Sequence, residues 1–133
     1  MSLAGDVLAI LPVLRAQAES LMIDECTITR PGEPVTDPET GDVTNEPVTV
    51  YEGKCKVQSR ATEATNPEVG GATFTVVSRQ VHIPANSADV QNDDVVTITA
   101  SRMNVFTVGK QYRVEGFEPD SLDTAARLPV KIL

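Results

Sequence analysis

The chain has 133 residues, 41% of them hydrophobic and only 4% aromatic, with a formal net charge of −8. That length suits one domain around a single core, built here from Val, Ile, Leu and Ala. The charge excludes a free-standing nucleic-acid binder, which needs a basic footprint, although an acidic wall suits a conduit along which DNA slides without sticking. No apolar run approaches the ~18 residues of a membrane span, so no membrane partner is expected.

The opening segment, DVLAILPVLRAQAESLM, places Val7, Leu11, Leu14, Ala18 and Leu21 at alternating intervals of four and three. This spacing predicts an N-terminal helix within residues 1–22, with those side chains forming its apolar stripe. Pro12 removes one helical hydrogen bond, and a kink is expected there. Asp6 and Arg15 punctuate the segment and no basic stretch precedes it, so it does not read as a signal peptide and an intracellular chain is expected.

After Met22 the period changes from helical to strand-like. ECTITR sets Cys26 and Ile28 against Thr27 and Thr29, and GKCKVQSR sets Cys55 and Val57 against Lys54, Lys56, Gln58 and Arg60. DVVTITAS groups Val96, Ile98 and Ala100; QYRVEGF groups Tyr112 and Val114; LPVKIL groups Val130 and Ile132. Alternation of this kind means antiparallel sheets with one dry and one wet face. Residues 1–133 are therefore expected to form one mainly β domain, a small antiparallel barrel or sandwich over 23–133 behind the helix, with long loops. Phe74 and Val76 are out of phase with Val77, Val81 and Ile83, which predicts a bulge or bend near 77–80. Gly116 separates Phe117 from the Tyr112 and Val114 phase in the same way.

Two connections are long. From Arg30 to Glu52 there are six acids and one base, and DPETG within it has the chemistry of a tight turn at the tip of an extended hairpin. ATEATNPEVGGA, residues 61–72, has no apolar period and is expected to be a loop ordered only by a partner.

No catalytic constellation emerges. Cys26 and Cys55 sit on apolar strand faces and read as buried free thiols. His82 lies off the apolar phase of its strand and reads as a surface or interface residue. Asp93 and Asp94 belong to a polar turn that collects Asp for backbone reasons, and EPDSLDTA lacks a calcium-loop ligand series. Gly70 and Gly71 are not followed by the Lys and helix of a phosphate loop. No metal or cofactor is expected. Lys54, Lys56 and Arg60 form a basic stripe on one strand face, expected to meet an acidic neighbour or solvent.

The order of these segments is similar to that of one family. A short helix runs into CTITRP, a DPETG hairpin leads into VYEGKCKVQ, a strand ends in VHIP, DVQNDDVVTI follows, and the chain closes on YRVEGFEPDSLDTAARLPVKI. The pattern resembles the head-tail connector, head-completion or stopper proteins of long-tailed bacteriophages, especially those of actinobacteria. The resemblance implies a non-enzymatic virion protein of the neck, assembled in the host cytoplasm. Its barrel would form a homo-oligomeric ring between portal and adaptor proteins and the tail-terminator or tail-tube proteins. Double-stranded DNA would pass through the lumen without specific binding. Carried onto this chain, the resemblance implies a channel loop containing Thr62, Glu63, Asn66, Pro67, Glu68, Gly70 and Gly71. It also implies a subunit-contact arm containing Glu33, Asp37, Pro38, Glu39, Gly41 and Asp42. A tail-terminator or minor tail ring, and an OB-like binding module, are the alternative readings.

Overall fold

The alternating segments become strands that close on themselves. In a computed structural model, which describes residues 3–66 and 70–133, one helix precedes eight strands. The helix α1 spans Leu3–Ser20, and β1 spans Asp24–Arg30. The short strands β2, Pro34–Thr36, and β3, Val43–Asn45, form a separate two-stranded hairpin. The long strands β4, Val48–Asn66, and β5, Ala72–Pro84, are followed by β6, Val95–Ser101, β7, Gln111–Val114, and β8, Ala125–Ile132. All but β2 and β3 form a closed antiparallel barrel in the order β1-β4-β5-β8-β7-β6, with β6 returning to β1. The barrel form is thus the one adopted, and closure leaves no open sheet edge around its wall.

Inside, the predicted alternation holds except at Ala100 and at Ile132, which shares the phase of Val130 but lies at the end of its strand, 62% exposed. Cys26, Ile28, Cys55, Val96, Ile98 and Val114 are wholly enclosed, together with Val81, Ile83 and Leu128. Two one-residue register shifts curl the sheet. On the β1–β4 side the shift falls between Ile28 and Thr29, opposite Val50. On the β1–β6 side it falls between Glu25 and Cys26, skipping Thr99, so that Ala100 leaves the Val96–Ile98 phase and faces outward. No shift occurs near 77–80: β4 and β5 keep one register from Lys56↔His82 to Asn66↔Ala72. The apparent parity break has another origin. Val77 keeps the phase of Val81 but lies beyond the barrel wall, where it is exposed and no interior exists to select one face. Gly116 does act as a turn, at φ 75°, and Phe117 beyond it packs on the core.

The helix departs from its predicted stripe. It is a single element through Pro12, with Val7 and Ala18 half-buried and Leu11 buried. Leu14 and Leu21 face outward, however, the latter 59% exposed. Their places against the barrel are taken by Arg15, whose Nε donates to the Asp123 carbonyl at 2.9 Å, by Glu19, and by Met22 just past the helix. Polar anchors therefore rotate the helix away from its most apolar orientation.

Asp94 was read as an ordinary turn residue, and it is instead the buried clamp of the seam between β1 and β6. Its carboxylate accepts from Arg30 Nε at 2.9 Å, from Arg30 Nη2 at 3.0 Å and from the Gln91 amide at 2.9 Å. Its backbone carbonyl accepts from the Val114 amide, which adds β7 to the same joint. Asp94→Ala should lower unfolding free energy by about 2–4 kcal/mol, since it removes charge-assisted bonds and leaves the Gln91 amide unpartnered. Urea denaturation would show this as a lower midpoint, and an unchanged midpoint would contradict the clamp.

Candidate functional site

The barrel interior is filled by side chains, so recognition falls to its exterior. Three features stand out there: a ribbon at one end, an arm at the other, and a basic groove on the wall between them.

The ribbon corrects the expected loop at 61–72. β4 and β5 continue past their barrel partners as a two-stranded ladder, pairing Thr62↔Val76, Glu63↔Thr75 and Asn66↔Ala72. The last β5 residue paired with β8 is Arg79, so Ala72–Ser78 and the matching part of β4 bond only to each other and stand about 20 Å beyond the wall. Gly70 and Gly71 lie in the turn with φ 65° and 77°, conformations that glycine adopts without strain. Pro67 and Glu68 lie outside the described residues. The missing apolar phase misled the sequence reading, because a ladder needs only backbone pairing. The signal was present in Thr62, Thr65, Thr73, Thr75 and Val77, β-branched residues flanking a Gly-Gly pair.

The arm leaves from the opposite end, where β1 finishes and β4 begins. It is shorter than the predicted 30–52 hairpin, since Val48 onward belongs to the barrel, and its ladder covers only Pro34–Thr36 against Val43–Asn45. DPETG forms the expected tip. The Asp37 amide donates to the Asp42 carbonyl at 2.8 Å, the Gly41 amide to the Asp37 carbonyl at 2.8 Å, and the Glu39 amide to Asp37 Oδ1 at 2.8 Å. Gly41 takes φ 73°. Glu33, Asp37, Pro38, Glu39 and Asp42 are all exposed. At the base, a side chain at Gly32 would run into the Glu46 carbonyl, so the two arms of the connection cross closely there.

The groove, of about 510 Å³, runs between α1 and the outer faces of β4, β5 and β8. Lys54, Lys56 and Arg60 share the outer face of β4, as predicted. Lys54 does meet an acidic neighbour, Glu19 of α1, at 3.2 Å. Lys56 and Arg60 line the groove with Arg127, Gln58, Gln80 and His82. His82 points outward as its phase requires, but it is covered rather than solvent-exposed. The neighbour the sequence could not name is its own helix, which packs over β5 and β8. Burial and the cations Lys56 and Arg127 push its pKa down to about 4, and its Nε2 lies 3.3 Å from Gln80 Oε1. Arg127 was not among the predicted residues. Strand pairing alone brings it beside His82, and its position in TAARLPV gives no hint of this.

Cys26 and Cys55 are both free, enclosed, and close enough for one thiol to hydrogen-bond the other. That bond and burial push the Cys55 thiol well above its usual range. Among the described residues no group of three His, Cys, Asp or Glu side chains is placed to hold a metal ion, and no described helix is long and apolar enough to cross a membrane.

The chain belongs to a family of unknown function, DUF6093, whose profile matches residues 14–131. The matched region contains the arm, the ribbon and all of the barrel but Ile132, the last residue of β8. No curated protein and no solved structure matches the chain.

Two outcomes follow from the site's chemistry. His82 has a folded pKa near 4 against about 6.5 unfolded, so the unfolded chain binds more protons between those values. Stability from this group is therefore full above pH ~6.5 and is lost as pH falls toward 4, by on the order of 2 kcal/mol. Urea titrations of wild type and His82→Gln across pH 4–7 should differ in that slope, the variant being flatter. Secondly, Cys26 and Cys55 should resist a thiol-labelling reagent in the native protein and react only on unfolding; rapid native labelling would contradict their enclosure.

Proposed function

We propose that this member of the DUF6093 family is a structural virion protein, a subunit of a ring that joins a bacteriophage portal and adaptor complex to the tail and extends the DNA channel. The observation that carries this reading is the placement of two protruding hairpins at opposite ends of one closed, filled barrel. A part stacked between two assemblies needs contacts directed both ways along its stack, and the ribbon and the arm supply them. Exposed apolar residues on α1, among them Leu3, Leu8, Ile10 and Val13, add a third surface whose burial would favour assembly. The order of segments resembles that of head-completion proteins, and the net charge of −8 suits a channel that must not hold its cargo. The ribbon around Thr62, Glu63, Asn66, Gly70 and Gly71 takes the role of the channel element, as a hairpin rather than an irregular plug.

The groove containing Lys56, Arg60 and Arg127 favours a second reading, an OB-like module that binds single-stranded nucleic acid on its wall. Affinity for oligonucleotides that falls steeply with salt would favour that module. For the connector, capsids assembled without this protein should package DNA but leak it or fail to join tails, and added protein should restore joining. Normal tail joining without the protein would overturn the proposal. Rings seen by mass photometry that bind isolated tails but never portal-adaptor complexes would move the reading to a tail terminator.

A further inference from the structure

The distribution of cations over the chain is uneven in a way the fold itself does not require. Arg30, Lys54, Arg113 and Lys131 each have a carboxylate partner, at 2.9, 3.2, 2.7 and 3.1 Å respectively. Among the described residues the other seven cations have none: Arg15, Arg79, Arg102 and Lys110, and also the trio Lys56, Arg60 and Arg127, of which Arg127 donates to the Thr124 hydroxyl. These three line the same groove. Lys56 pairs with His82 and His82 with Arg127 across three adjacent strands, so two cations flank the histidine in one row. Like charges gathered in this way repel one another, and among the described residues no carboxylate lines the groove to relieve them. Leu21, exposed on the helix side, gives the groove an apolar lip.

The arm has the complementary character. Residues 31–47 contain Glu33, Asp37, Glu39, Asp42 and Glu46 and not one Lys or Arg. Val35 and Val43 are exposed at 60% and 63%. We propose that the groove on the wall of one copy receives the acidic β2–β3 arm of a second copy of this chain. The inference rests on the ring reading and names the contact that would link its subunits.

Geometry selects a second copy over the chain's own arm. The arm departs at Val48, and Lys56 lies further along β4 by about 25 Å, with Arg60 further still. The arm's strands pair only with each other at that end of the barrel, and no described arm residue lines the chain's own groove. Charge and composition select an acidic peptide over nucleic acid. Among the described residues no aromatic side chain lines the groove for base stacking, and the field of the whole chain opposes a polyphosphate. Each exposed ion pair contributes little by itself, so the pairwise contact is weak and salt-sensitive, and closure of a ring multiplies it.

Sedimentation velocity of the purified full chain tests this. Wild type should self-associate at low salt and dissociate at high salt. Lys56→Glu with Arg127→Glu, and separately Glu39→Lys with Asp42→Lys, should each weaken association by about tenfold or more. An equimolar mixture of the two charge-reversed chains should restore a complex, because each supplies the partner the other lacks. All four substitutions lie on outward-facing positions, and unchanged circular dichroism and melting would confirm folded variants. Wild type that stays monomeric at low salt, or association untouched by both reversals, would overturn the inference. So would a groove reversal that abolishes oligonucleotide binding while leaving self-association intact. The two readings fail separately. Tail joining that survives both reversals removes the arm-groove contact and leaves the connector. Arm-groove assembly in a protein that capsids do not need removes the connector and leaves the contact.

Discussion

Closure of the barrel depends on the seam between β1 and β6, which among the described residues is the one strand pairing between the first strand of the chain and the late ones. Each end of that seam is fixed by a buried carboxylate. At one end Ser101 donates to Asp24 at 2.6 Å, and at the other Arg30 grips Asp94 through two nitrogens. Carboxylates are costly to bury unless bonded; Asp94 takes three bonds and Asp24 one. Between the clamps the bulge at Thr99 takes up the curvature that a six-stranded barrel demands. With the seam closed, Cys26, Ile28, Val96 and Ile98 meet Val81, Ile83 and Leu128 from the far wall, and one core forms. Without it, β1 and β6 would be edge strands and the six strands one open sheet.

How much of this was legible in the sequence follows from what each element is bonded to. Strands that face a core announce themselves by alternation, which is why Cys26, Cys55, Val96, Ile98, Tyr112 and Val114 were placed correctly. The ribbon faces no core and so lacks alternation, although its ladder is as regular as any in the barrel. The helix stripe was only half right for a related reason. Hydrophobic spacing predicts the face that would bury most apolar surface, whereas Arg15 bonded to Asp123 and Glu19 paired with Lys54 set the actual rotation. Residues brought together by non-local pairing were the least legible. Asp94 meets Arg30 across 64 positions of sequence, and Arg127 joins His82 and Lys56 only through the order β4-β5-β8. The arm was legible because DPETG is a local turn with local bonds.

The helix has two roles that pull in different directions. Its polar side ties it to the barrel through Glu19 and Arg15 and covers His82, and that cover is what holds the imidazole neutral. Leu11 aside, its large apolar side chains Leu3, Leu8, Ile10, Val13 and Leu14 are left outward. A helix whose only purpose was to cap the barrel would gain about 1.5–3 kcal/mol for each large aliphatic side chain turned inward. Retaining Leu8, Ile10, Val13 and Leu14 at the surface forgoes that gain, and such a surface is a liability for a solitary protein. The arrangement is understandable if the outward face is buried in an assembly, with the polar anchors fixing which face that is.

The filled interior then decides what kind of function the fold can host. A barrel that closes on Ile28, Ile83, Ile98 and Leu128 has no lumen for a ligand, its two thiols are out of reach of solvent, and the contact with Cys26 and burial push the Cys55 thiol up. Chemistry would have to occur on a wall or rim, where Lys56, Arg60, Arg127 and an imidazole with a pKa near 4 are gathered. An imidazole that stays neutral at pH 7 and is flanked by cations cannot donate as an acid there, and as a base it is weakened by the same shift that keeps it neutral. The row of charge is better suited to holding an anion than to moving a proton. The acidic arm, carried by every copy at the far end of the same barrel, is an anion of this kind that the sequence itself supplies.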